Sequence, residues 1–160
     1  MFGTIVTHAS QPLFMQEISY PFALVRHELR YEFVSVSERR KITKVVLITK
    51  SADDRIFNLA LLDESENFEL SDISESNNGD LKNVLATVFK IIDHFLNVHT
   101  TSVISFRGSD ERRQRLYRIA ISRELAAISE RFVILGMNRG NISLYEVDRD
   151  YDFYLIRKRI

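Results

Sequence analysis

Five arginines follow one another at short intervals where a β-branched run gives way to a helical pattern. In the stretch SVISFRGSDERRQRLYRIAIS, Ser102 to Ser122, Arg107 stands at the end of a strand-like segment and Gly108 and Ser109 make a turn. Arg112, Arg115 and Arg118 then recur at i, i+3 and i+6, which puts them on one broad helix face. A helix N-terminus presents free N–H groups and the positive end of its dipole, and guanidinium groups add paired donors for a phosphate or carboxylate. Glycine lets the backbone come close to such a group. Arg107, Gly108, Ser109, Arg112, Arg115 and Arg118 are therefore the candidate anion- or partner-binding residues. The stretch is not a phosphate loop, because neither GxxxxGK[ST] nor GxGxxG occurs. The same residues also fit a plain capped helix, with Ser109 as N-cap and Asp110 and Glu111 in its first turn. Its arginines would then be solvated, or would answer the acidic segment 63–80, DESENFELSDISESNNGD, which holds no Lys or Arg.

Other chemistries find less support. The acidic segment offers oxygen ligands for a hard cation, but it lacks the order of an EF-hand loop, so no metal site is assigned. The histidines are His8, His27, His94 and His99; none forms an HExxH or another i, i+4 pair, and His94 falls on the expected polar side of a helix as a surface residue. No GxSxG elbow surrounds a serine, and FRGS lacks the second glycine. The absence of cysteine removes disulfides, thiol catalysis and cysteine-ligated metals. No catalytic residue and no cofactor is assigned. For nucleic acid, Arg39, Arg40, Lys41 and Lys44, the 107–118 arginines, and Arg157, Lys158 and Arg159 are the basic material; Tyr117, Tyr145 and Tyr154 are candidates to stack on bases if exposed. No RNP, KH or helix-turn-helix signature accompanies them.

These residues sit in a chain of 160, with 45% hydrophobic and 28% charged residues, the composition of one ordinary domain with a real core. The 22 basic and 22 acidic residues cancel, which argues against a dedicated nucleic-acid binder and leaves room for a local basic patch. No stretch approaches the ~18 apolar residues of a membrane span, and the N-terminal twenty residues carry neither Lys nor Arg nor a signal-like apolar run. A cytoplasmic location without membrane contact is the expectation.

The elements that must position the arginines are mostly readable. Residues 1–30 are expected to form an N-terminal arm or short cover, with FGTIVTHA as a short strand and PFALVRHEL as a turn of helix or an extended cover. Residues 31–160 are expected to form a single α+β domain. YEFVSVS and ITKVVLITK predict a hairpin, and RIFNLALLD a third strand with Phe57, Leu59 and Leu61 inward. FELSDI is a possible edge strand. Leu81, Val84, Leu85, Val88, Ile91, Ile92, Phe95 and Leu96 recur at helical spacing, with Lys82, Asn83, Lys90 and His94 on the far side and Asn78 or Asp80 as cap. SVISF is a strand behind that helix. The second helix carries Leu116 and Arg123 on one side, a conflict that a break near Ser122 would remove. RFVILGM and ISLYEV flank a hairpin turn, NRGN, and YDFYLIRKRI supplies a closing strand. The expectation is α+β: a mostly antiparallel sheet of five to seven strands, with two main helices packed on one face.

NNGD followed by VLATV, GS followed by R and RLYR, and the tail FYLIRKR together resemble a small family of uncharacterised bacterial proteins of similar length. The resemblance runs from about Tyr31 to the C-terminus, and residues 1–30 depart from it. It implies one compact domain of unknown function and no particular activity.

Three functional expectations follow. The first is a small binding or regulatory domain that holds an anionic partner, nucleic acid or an acidic protein, on the arginine surface. The second is an enzyme acting on a small phosphorylated substrate at the Gly108–Ser109 turn. The third is a homo-oligomer in which one copy's acidic segment meets another's arginines.

Overall fold

A computed structural model describes residues 4–6, 18–25, 29–37, 40–65, 70–71 and 81–160. The strands are β1 (Thr4–Val6), β2 (Phe22–Val25), β3 (Arg30–Val36), β4 (Lys41–Lys50), β5 (Ile56–Glu64), β6 (Leu70–Ser71), β7 (Val103–Phe106), β8 (Phe132–Asn138), β9 (Asn141–Leu144) and β10 (Phe153–Lys158). Helix α1 (Leu81–Val98) lies between β6 and β7, and α2 (Glu111–Arg131) between β7 and β8. The α+β class holds. The expected five to seven strands fall short, because one ten-stranded sheet runs β1-β2-β3-β4-β5-β7-β10-β8-β9, with β6 paired to β5 off that path. The surplus comes largely from the first thirty residues, where β1 and β2 pair with each other and β2 pairs with β3. Phe22–Val25 is extended, not helical.

The two helices reach the same face for a topological reason. β5 and β7 run parallel, so α1 is a crossover; β7 and β8 both pair antiparallel to β10, so α2 is a second one. Both steps proceed in the same direction along the sheet. Right-handed crossovers in one direction deposit their helices on one face. Alternation then sends Tyr31, Phe33, Val46, Ile48, Phe57, Leu59, Ile104, Phe106, Ile134, Tyr154 and Ile156 under the helices, all buried. Leu61, expected inward with Phe57 and Leu59, is partly buried against the same core.

From Val84 onward the apolar stripe of α1 is buried as its spacing predicts, but of the expected polar far side only Lys82 is exposed. Ala86, Thr87, Lys90 and Asp93 are buried as well, and His94 is half-buried. Ile18 accepts from the Asn83 side chain (2.8 Å) and Tyr20 donates its N–H to Thr87 Oγ1 (2.9 Å), so the segment around residue 20 lies along this side. His94 stands 3.1 Å from the Tyr31 hydroxyl and edge-on to the Tyr31 and Phe22 rings. It is a packed residue, which corrects its reading as a surface histidine. Asp93 accepts both oxygens' worth of contact from Arg131, at 2.9 and 3.1 Å. The proposed caps Asn78 and Asp80 lie outside the described residues.

Helix α2 is unbroken from Glu111 to Arg131, which corrects the expected break near Ser122. It buries only Ala120, Ile121 and Ile128. A helix seated on so narrow a stripe does not force Leu116 and Arg123 into one environment: Leu116 is half-buried, and Arg123 is exposed beside Glu124. Ser122 stays helical and bonds the Tyr145 hydroxyl at 2.6 Å.

Candidate functional site

The strand-to-helix junction is built around a close approach. The Gly108 N–H donates to Gln114 Oε1 at 2.6 Å, and a Cβ on Gly108 would stand 2.1 Å from the Gln114 backbone nitrogen. Any side chain there would push the first turn of α2 off β7, so glycine is needed for space. Gln114 also donates through Nε2 to the Tyr151 carbonyl at 2.8 Å, and its own carbonyl accepts from the Tyr154 hydroxyl at 3.2 Å. One glutamine thus ties the junction to the loop before β10.

The cap is Asp110, one residue beyond the expected Ser109. Both residue types cap well; here Asp110 has the extended backbone, and its carboxylate accepts the Arg113 N–H at 2.8 Å. Arg113 turns back on the same cap, donating to Ser109 Oγ at 2.8 Å and to Asp110 at 3.1 Å. The helix start is therefore occupied by the chain's own carboxylate, and the open nest expected at Gly108–Ser109 is filled. Ser109 is exposed but accepts from a cation, which draws electron density off its oxygen instead of activating it.

The arginines divide into two sets. Arg118 is committed inward to the chain, paired with Asp150, while its carbonyl accepts from Tyr145. Arg107, Arg112 and Arg115 are exposed. Among the described residues neither Arg107 nor Arg115 forms an ion pair. The acidic segment was their expected internal partner. Its described acids are answered elsewhere: Asp63 by Lys44 at 2.5 Å and Glu64 by Arg30 at 3.0 Å. Residues 66–69 and 72–80 lie outside the described residues.

Arg107 borders an apolar crevice between α1 and α2, walled by Leu59 and Leu61 of β5, Phe89 of α1, Phe106 of β7, and Tyr117 and Ile121 of α2. Its volume is about 20 Å³, against the roughly 10–15 Å³ that one water requires. A methyl-bearing side-chain tip fits such a space; a sugar or nucleotide does not. Burial raises the Tyr117 hydroxyl to about 12, with the Arg113 charge pulling weakly the other way. Sequence reasoning missed this crevice, since nothing local says that two helices will leave a gap.

The tyrosines considered for stacking do not serve. Tyr145 and Tyr154 are buried, packed with Tyr151 at centroid distances of 5.3 to 6.1 Å. Burial raises both hydroxyls above the ordinary value. Tyr117 is half-buried edge-on to Phe106. His99 packs against Phe95 and Phe57; His8 and His27 lie outside the described residues. Among the described residues no three His, Asp or Glu side chains gather as a metal set, and no helix is long and apolar enough to cross a membrane.

The architecture and this junction can be set beside known proteins. The family DUF6934, a family of unknown function, matches residues 16–159. The chain belongs to this family. The family match starts before Tyr31, so it takes in β2 as well as the segment that lies along α1. No curated protein and no solved structure matches the chain.

Proposed function

We propose that the protein is a non-catalytic binding module that holds an acidic segment of a partner protein at the β7–α2 junction. The observation that carries the reading is Arg107: an exposed cation, without an ion pair among the described residues, at the rim of an apolar crevice. Arg112 and Arg115 continue the positive face along α2. Such a site suits a peptide that inserts one small apolar side chain and lays carboxylates over the arginines. The pairing of an apolar anchor with charged surroundings is the usual anatomy of a recognition patch. Nucleic acid fits less well, since the tyrosines that would stack on bases are packed into the core. A small phosphorylated substrate fits less well too, because Asp110 already fills the helix start. The reading places the protein in the cytoplasm, where a chain without cysteine needs no oxidising environment.

Fluorescence anisotropy at low salt tests it, with labelled acidic peptides bearing a central leucine, and with single-stranded RNA and inorganic phosphate as competitors. Binding of the peptide that is lost in Arg107→Glu, and also in the crevice-filling Ala120→Leu, is the expected result. Equal affinity for RNA regardless of the crevice variant would transfer the site to nucleic acid. Absence of any binding at low salt, where such contacts are strongest, would end the proposal.

A further inference from the structure

The sheet ends at β9, and among the described residues no strand covers that end. Arg139 and Gly140 both have positive φ (51° and 81°), which makes the two-residue turn that suits a tight hairpin. The residues flanking such a turn, Asn138 and Asn141, form a hydrogen-bonded pair. Odd-numbered residues of the strand therefore direct their backbone groups at β8, as the 3.0 Å bond from the Tyr145 N–H to the Ile134 carbonyl bears out. The N–H and C=O groups of Ile142 and Leu144 point the other way, and no strand of the described sheet pairs with them. Their side chains stand on the face opposite the helices, 53% and 64% exposed. Native edges are usually blunted by charge, proline or a bulge; within its four residues β9, NISL, has none of these.

We propose that β9 pairs with β9 of a second copy, antiparallel about a two-fold axis at Ser143. Only one centre satisfies every outward group of this short strand. With Ser143 on the axis, Ile142 of one copy stands opposite Leu144 of the other. Both are outward-bonding residues, so two reciprocal pairs of backbone hydrogen bonds close. The same register sets the two exposed apolar side chains against each other across the axis, twice. Isologous contacts need such self-complementarity. The flanking charges agree with it. The turn end of each strand carries Arg139, whose side chain has no ion pair among the described residues, and the far end carries Glu146 and Asp148. An antiparallel axis brings the turn of one copy beside the acids of the other. Among the described residues the Glu146 carboxylate is paired with Arg149 alone, at 3.1 Å on the open surface, a contact easily exchanged.

This interface is independent of the arginine junction and differs from an oligomer built on the acidic segment. A chain without cysteine makes the test clean. Ser143 meets its own mate as a non-hydrogen-bonded pair, about 4.5 Å between Cα atoms, within disulfide reach. Mild oxidation of Ser143→Cys is expected to give a covalent dimer. Asn141→Cys, about 13 Å from its mate in this register, is expected to give none. Sedimentation of the unmodified protein is expected to show a dimer that Leu144→Lys reduces to monomer. Arg139→Glu is expected to weaken it about tenfold, and adding Glu146→Arg to restore it. Recovery in the double variant excludes misfolding as the cause. A protein that stays monomeric at every concentration, or a dimer that ignores Leu144→Lys and Ser143→Cys, would overturn the proposal. So would an unrelated extended peptide found bound along β9.

Discussion

The two helices lie on one sheet and are used in opposite ways. α1 is buried over most of its surface, and its buried carboxylate, Asp93, is answered within the fold by Arg131. α2 fully buries three residues, packs Tyr117, Leu125 and Ala127 partly against the core, and carries the exposed arginines, of which Arg115 has no ion pair among the described residues. A buried carboxylate must be neutralised from within, since an unpaired buried charge costs several kcal/mol. A helix held by a narrow stripe is free of that demand. Surplus charge on α2 is thus available to a partner, whereas Asp93 of α1 is spent inside the fold.

The contrast is most exposed to failure in paired truncations. Ile92→Ala on α1 is expected to cost about 2–5 kcal/mol in denaturant unfolding, because Ile92 is fully buried. Ile119→Ala on α2, nearly half exposed, should stay within about 0.5 kcal/mol of the native protein. Similar losses at both sites would erase the distinction.

A second effect comes from the core contact of α2 itself. Tyr117 is raised by burial from 10.0 to about 12, so the folded state holds its proton more tightly than the unfolded chain. Stability from this group is complete below pH 10 and is lost as pH rises towards 12. The loss is on the order of 3 kcal/mol by linkage. Tyr145 and Tyr154 shift the same way and steepen it. Phenolate absorbance should therefore rise together with unfolding; a smooth titration of folded protein near pH 10 would contradict the burial.

Smaller again are the acids at the two helices. Asp93→Ala should cost about 1–2 kcal/mol, at the low end for a buried pair because the Arg131 left behind is partly exposed and can hydrate. Asp110→Ala should cost about 1 kcal/mol through loss of the cap. The smallest effect belongs to the proposed site: Arg107→Glu and Arg115→Glu should move the unfolding midpoint by less than about 0.5 kcal/mol. The same variants should abolish acidic-peptide binding. A large stability loss there would mean that the fold itself uses these arginines.

What could be read in advance follows the range of the interactions involved. The α1 stripe was legible because its spacing is a local property and tertiary packing only adds to it. FGTIVTHA reads as a short strand, but nothing local places β1 and β2 in the main sheet: each is a few residues long, β1 joins only through β2, and β2 only by pairing with β3. Ser109 and Asp110 are both good caps, and the choice fell to whichever placed Arg113 on the carboxylate. The apparent break at Ser122 arose from demanding one buried face for the whole of α2, when most of that helix has none. Tyr145 continues the alternation of ISLYEV on paper, yet β9 stops at Leu144 and the ring turns in to meet Ser122 and Tyr154.

β10 is the last strand along the chain, and it lies in the interior of the sheet, between β7 and β8. During synthesis its two neighbours emerge first and wait with bare flanks. Closure of the sheet is therefore a late event, and a nascent chain halted near Val147 would display two adhesive borders at once. Until that final strand slots home, both borders can accept any other exposed strand.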